Sequence, residues 1–108
     1  MVKLGYTILY VSDVTKSIEF YEKAFGFERK FITPENDYGE LLSGETTISF
    51  VSKELANSNL KNGFIESSQL DKPFGIELAL VTDNVQTIID KALELGAIVT
   101  EQPIQKPW

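Results

Sequence analysis

The sequence predicts an α+β fold of two tandem modules, each of order strand, helix and three further strands, with the second module truncated at its C-terminal end. An internal repeat is the first reason. Residues 4–26 read LGYTILYVSDVTKSIEFYEKAFG and residues 74–96 read FGIELALVTDNVQTIIDKALELG. Aligned without a gap, Gly5 meets Gly75, Val11 meets Val81 and Asp13 meets Asp83, while Ile18 meets Ile88 and Gly26 meets Gly96. Each copy is an apolar run, a Ser/Thr-Asp pair, an amphipathic stretch and a closing glycine, which reads as strand, helix start, helix and stop. One such unit cannot bury its apolar face alone, so the two copies should share a core or clamp something between them. The second reason is punctuation: Pro34-Glu35-Asn36-Asp37 and Ser43-Gly44 are strong turn signals inside the remainder of the first copy.

Taken in order, residues 4–11 are β-branched and aromatic and predict a strand. Ser12 or Asp13 then caps a helix over 14–25, whose Val14, Ile18, Tyr21 and Phe25 recur at helical spacing along one face. Gly26 ends it. Residues 28–33, 38–42 and 46–51 are extended pieces joined by the two turns, so they should lie as antiparallel neighbours. Module one is thus 1–52. Residues 53–73 form a polar connection, longer than most, expected to be a lid, a hinge or partly disordered. Module two, 74–108, should begin with a strand at 75–81 and a helix over 85–95 that buries Val85, Ile88, Ala92 and Leu95. A last strand is expected at 97–101. A full copy of module one would need two strands more.

The bulk composition narrows the function. The chain has 108 residues, 43% of them hydrophobic and 11% aromatic, enough for one packed domain with an aromatic-lined pocket. Its net charge of −6 leaves no basic stripe for phosphates, so nucleic acid is excluded as a partner. The same charge suits a cationic ligand, or simply keeps a small protein dissolved. There is no cysteine for disulfide or thiolate chemistry. There is also no histidine, the commonest general base and metal ligand. No apolar run reaches membrane length and no secretory leader opens the chain, so a cytoplasmic protein with no membrane partner is expected.

The pattern V-S-D-V-x-x-S-I-x-F-Y-x-x-x-F-G-F at 11–27, above all Phe20-Tyr21 between Ser17-Ile18 and Gly26-Phe27, resembles the glyoxalase/bleomycin-resistance/dioxygenase group, the vicinal oxygen chelate superfamily. The resemblance implies paired βαβββ modules that curl their sheets around a shared cavity, in agreement with the 70-residue repeat. It also implies modules that often pair across chains, so that the open edge expected after 97–101 points to a homodimer, or else to further strands beyond Trp108. Activity does not follow, because that scaffold carries isomerases, dioxygenases and simple drug-binding proteins alike. Metalloenzymes of the group place ligands at four strand positions. Carried across by register, these fall at Tyr6, Ser49 and Glu77, with a fourth beyond Trp108. Only Glu77 has a ligand-competent group, so no metal and no other cofactor is expected.

Glu77 is the sharpest single residue, a carboxylate inside an otherwise apolar run. It reads as a cation-binding group, a general base (the only catalytic candidate), a lone surviving ligand, or a solvated strand position. Tyr6 and Tyr10 share one face of the first strand, either as aromatic cavity wall or as core. Ser49 faces the sheet, where it can touch a ligand. Trp108 either overhangs the pocket or frays. Asp13 and Asp83 are explained by helix capping. The function expected is a metal-free protein that binds a small cationic or aromatic molecule through Tyr6, Tyr10, Ser49, Glu77 and Trp108. The alternatives are a metal-dependent lyase, isomerase or dioxygenase completed by residues outside this chain, or a module whose work is association alone.

Overall fold

The computed structural model describes residues 1–105 and Pro107. Module one forms as the sequence predicts. Strand β1 (Tyr6–Val11) leads into helix α1 (Val14–Phe25), then β2 (Glu28–Ile32), β3 (Tyr38–Ser43) and β4 (Thr46–Ser52). The four strands make one sheet in the order β1-β4-β3-β2. The two hairpins are antiparallel, while β1 lies parallel to β4 with Tyr6 opposite Thr47 and Val11 opposite Ser52. A parallel neighbour needs a crossover, and α1 with the hairpins supplies it.

Helix α1 begins where Asp13 caps it: the Asp13 carboxylate accepts from the Lys16 backbone N–H at 3.0 Å. That bond holds the Asp13 carboxyl below its usual value. Gly26 ends the helix at φ 72°, a left-handed conformation that glycine adopts without a Cβ penalty. The buried face of α1 lies on one side of the sheet, where Val14, Ile18, Leu41, Ile48 and Phe50 form the core. The Phe20-Tyr21 pair is part of that packing. Tyr21 meets Phe50 edge-on at 5.2 Å between ring centroids and also touches Phe25 and Phe27. Gly39 is required by the same packing, because a Cβ there would collide with Ile18 and Val14 of α1.

Module two departs from expectation. Residues 75–81 and 97–101 form no strand, and the sheet gains no member from them. Their alternation is strand-like, but a strand exists only through a hydrogen-bonded neighbour. The apolar side chains of 76–81 are accordingly left outside, Ile76 at 81% and Val81 at 98% exposure. The second helix does form, over Val85–Glu94, one residue shorter than expected, and its cap is Asn84 rather than Asp83. It packs on α1. Of its expected buried face, Ala92 is buried and Ile88 and Leu95 are half-buried, but Val85 is exposed.

Part of the connection is helical, which the polar composition did not suggest. Ser52 accepts from the Leu55 N–H and starts α2 (Lys53–Asn59), so Val85–Glu94 is α3. The run Lys-Glu-Leu-Ala after a serine cap is the local reason. Phe64, further along, sets its ring against Tyr10 at 4.7 Å, and Glu66 bridges to Lys53 at 3.2 Å. No helix of the described residues is long and apolar enough to cross a membrane.

Candidate functional site

Because strand side chains alternate, the sheet face turned away from α1 carries a defined set of residues. Three rows cross it. One runs Tyr6, Thr47, Leu42, Glu28; the next runs Ile8, Ser49, Glu40, Phe31; the third holds Tyr10, Val51 and Tyr38. The middle row is the chemically rich one. Glu40 is only 9% exposed and Ser49 is fully buried, although both lie on the face turned away from α1.

A buried carboxylate is costly to desolvate, so its partners matter. The Tyr38 hydroxyl donates to Glu40 Oε2 and lies 3.1 Å from Ser49 Oγ, tying β3 to β4. The Lys30 ammonium lies 3.3 Å from Glu40 Oε1. Burial, reinforced by the bond to Glu40, pushes the Tyr38 phenol above its ordinary value, and the neighbouring Tyr6 hydroxyl adds to the effect. The Tyr38 and Phe31 rings stand 5.8 Å apart beside the carboxylate.

The position of Lys30 has a backbone cause. The register between β2 and β3 shifts between Arg29 and Phe31, a bulge that leaves Lys30 as the extra residue. Arg29 points to the α1 side and bonds Glu22, while Phe31 returns to the opposite face. Such bulges re-aim side chains, here a cation toward a carboxylate.

Tyr6, Tyr10 and Ser49 therefore share one face. Tyr6 is 51% exposed, and Tyr10 is partly covered by Phe64. Glu77 is elsewhere. It lines a mostly apolar cavity of about 490 Å3 between the other side of β1, at Thr7 and Leu9, and the 67–78 segment. Leu9 belongs to the α1 side, where it packs on the core. The structure thus brings Tyr6 and Ser49 together without Glu77. Trp108 lies outside the described residues.

Sequence reasoning missed Tyr38, Glu40 and Lys30. A signal for two of them was present. In Tyr38-Gly39-Glu40-Leu41 the alternation that buries Gly39 and Leu41 against α1 sends Tyr38 and Glu40 together to the other face. The bulge that recruits Lys30 has no comparable signature.

The donor set does not suit a divalent cation. Glu40 is the face's buried carboxylate, already engaged by Lys30 and Tyr38, and the nearby oxygens are hydroxyls of Tyr6, Tyr38 and Ser49. Among the described residues no three His, Cys, Asp or Glu side chains converge. What the arrangement can do is offer hydrogen-bond acceptors and one negative charge, flanked by aromatic rings.

The class follows from this architecture: a βαβββ unit whose sheet presents a polar, aromatic-rimmed face opposite its helix. The sequence matches the profile of the Glyoxalase/Bleomycin resistance protein/Dioxygenase superfamily over residues 3–108, and the chain belongs to that superfamily. Solved structures share the fold. A hypothetical protein from S. aureus superposes with a TM-score of 0.79 at 23% identity, over 99% of this chain and 80% of its own. A gene product of Arabidopsis thaliana gives 0.74 at 21% identity, over 95% of this chain and 80% of its own. A glyoxalase/bleomycin resistance protein/dioxygenase family enzyme from Burkholderia phytofirmans gives 0.72 at 20% identity, over 98% and 83%. No curated protein sequence matches the chain.

Proposed function

We propose that this is a small-molecule-binding protein that works without a metal, and that the sheet face opposite α1 is its binding surface. One observation carries the reading: Glu40, a carboxylate 9% exposed, is fixed by Tyr38 and Lys30 on the face turned away from α1. A polar group held in this way beside aromatic side chains is what orients a ligand in an otherwise apolar site. Tyr6, Tyr10 and Ser49 complete the surface. The exposed apolar side chains of 76–81 beside the β1 edge support a homodimer, since unpaired edges and apolar patches recruit partners.

Two measurements test this. A fragment screen followed by two-dimensional NMR should shift the amides of 6–10, 38–42 and 47–51 together. Ligands that perturb only the 67–78 cavity, or none that perturb the sheet face, would reject the site. Sedimentation at micromolar concentration tests the dimer, and a monomer would reject that part.

A further inference from the structure

The Lys30–Glu40 pair differs from an ordinary surface ion pair in the inequality of its members. Glu40 is 11% exposed in its side chain, whereas Lys30 is 52% exposed and hangs from a bulge. The carboxylate is fixed by Tyr38 and by its place in the middle strands, so it cannot follow a partner out to solvent. Lys30 can leave, because a long flexible stem with a strongly hydrated head gains rotamer freedom and solvation when it does. The seat that Lys30 occupies lies near the rings of Phe31 and Tyr38, whose planes are tilted 41° to each other. An ammonium at a carboxylate, with aromatic faces nearby, is the recognition environment of an aromatic amine.

We propose that Lys30 is a built-in stand-in for the ligand, and that the site selects aromatic primary amines, which displace Lys30 from Glu40. The inference rests on the binding surface assigned above and adds its ligand class. Glu40 is the group that touches the ligand's ammonium. Lys30 sets specificity by competition, since a neutral or anionic ligand has no positive charge to offer Glu40 in exchange. Tyr38 positions the carboxylate. The protein's net charge of −6 favours approach of the same ligand class.

The experiment uses three matched probes, 2-phenylethylamine, 2-phenylethanol and 3-phenylpropionate, titrated into the full chain and followed by NMR and calorimetry. The amine should bind best, weaken as salt rises, and shift the Lys30 side-chain NH3+ resonance as it is released. Lys30→Gln should tighten amine binding by roughly two- to fivefold, because an exposed competitor contributes little. Glu40→Gln should weaken it by about ten- to hundredfold, the range of a charge-assisted hydrogen bond, with circular dichroism confirming the fold. If the alcohol and the amine bind equally while shifting the Tyr38 and Ser49 amides, the amine preference is overturned and the binding surface stands. If Lys30→Gln weakens amine binding, or the Lys30 resonance does not move, the competition is overturned. If no probe perturbs the sheet face, the binding surface falls as well.

Discussion

Replacing Gly39 with alanine tests the packing that places Glu40. Gly39 sits on β3 against α1, and its Cβ would fall inside van der Waals contact of Ile18 Cδ1, 3.1 Å from the Phe31 carbonyl oxygen and 3.2 Å from Val14 Cγ1. Comfortable carbon contacts begin near 3.5 Å. Ile18 and Val14 are wholly buried, so their methyls have little space to yield into, and the Phe31 carbonyl belongs to the sheet. Overpacking of this kind costs about 1–3 kcal/mol. Alanine recovers about 0.5–1 kcal/mol by lowering the entropy of the unfolded chain. The net destabilisation is therefore about 0–2.5 kcal/mol and centred a little above 1 kcal/mol, toward the upper half here because the clash meets buried side chains and a sheet carbonyl. With a urea m-value of roughly 1–1.5 kcal/mol/M, the unfolding midpoint should fall by about 1 M. Ile18→Val removes the clashing methyl and alone costs about 0.5–1.5 kcal/mol. Combined with Gly39→Ala it should cost less than the sum of the two, with a coupling of about 1 kcal/mol. An unchanged midpoint for Gly39→Ala, or strictly additive costs in the double variant, would refute the reasoning.

Other outcomes follow from the same contacts. Phe50→Ala removes the largest fully buried side chain, which Tyr21 contacts edge-on, and should cost about 3–5 kcal/mol by urea unfolding. Arg29→Ala breaks the solvent-exposed pair with Glu22 and should cost at most about 1 kcal/mol. Burial raises the Tyr21 phenol, and burial with the Glu40 bond raises Tyr38. Their contribution to stability is whole below the ordinary phenol range and is lost as pH climbs through the folded-state values. Ultraviolet titration of Tyr21→Phe and Tyr38→Phe should each delete a late-titrating phenolate, and deletion of an ordinary one would contradict this. Asp13 has the opposite sign, because its folded-state value is lowered by the Lys16 N–H. Its contribution is present above the ordinary carboxylate range and is lost as pH falls through the folded value. Asp13→Asn, which keeps an accepting oxygen, should flatten that part of the acid unfolding curve.

The elements that could be read from the sequence are those whose causes are local. Helix α1 announces itself by Asp13, by the spacing of Val14 and Ile18 and by Gly26, and it forms where expected. The hairpins follow from Pro34–Asp37 and Ser43-Gly44 in the same way. Residues 75–81 carry a strand-like pattern too, but pairing depends on what lies alongside, and no alternation encodes a neighbour. The candidate face divides along the same line. Tyr6 and Ser49 could be placed by register. Glu77 stands out in the sequence as a lone carboxylate in an apolar run, whereas Glu40 is made unusual only by its partners Tyr38 and Lys30. Lys30 owes its place to a bulge.

The parallel seam between β1 and β4 has a kinetic consequence. Hairpins β2-β3 and β3-β4 close through short turns, but Tyr6 must find Thr47 across some forty residues of chain. Loop closure over that distance is slower than hairpin formation, and β1 sits at the sheet edge with one ladder to hold it. Tyr38, Glu40 and Ser49 thus come together within the first folded unit, while Tyr6 and Tyr10 join from a strand that docks late and opens early. Amide exchange should be faster along 6–11 than along 47–51 even though the two strands share one ladder. A ligand that touches both Tyr6 and Glu40 would clasp that seam, slow the exchange of β1 most, and convert the weakest edge of the sheet into a reporter of occupancy.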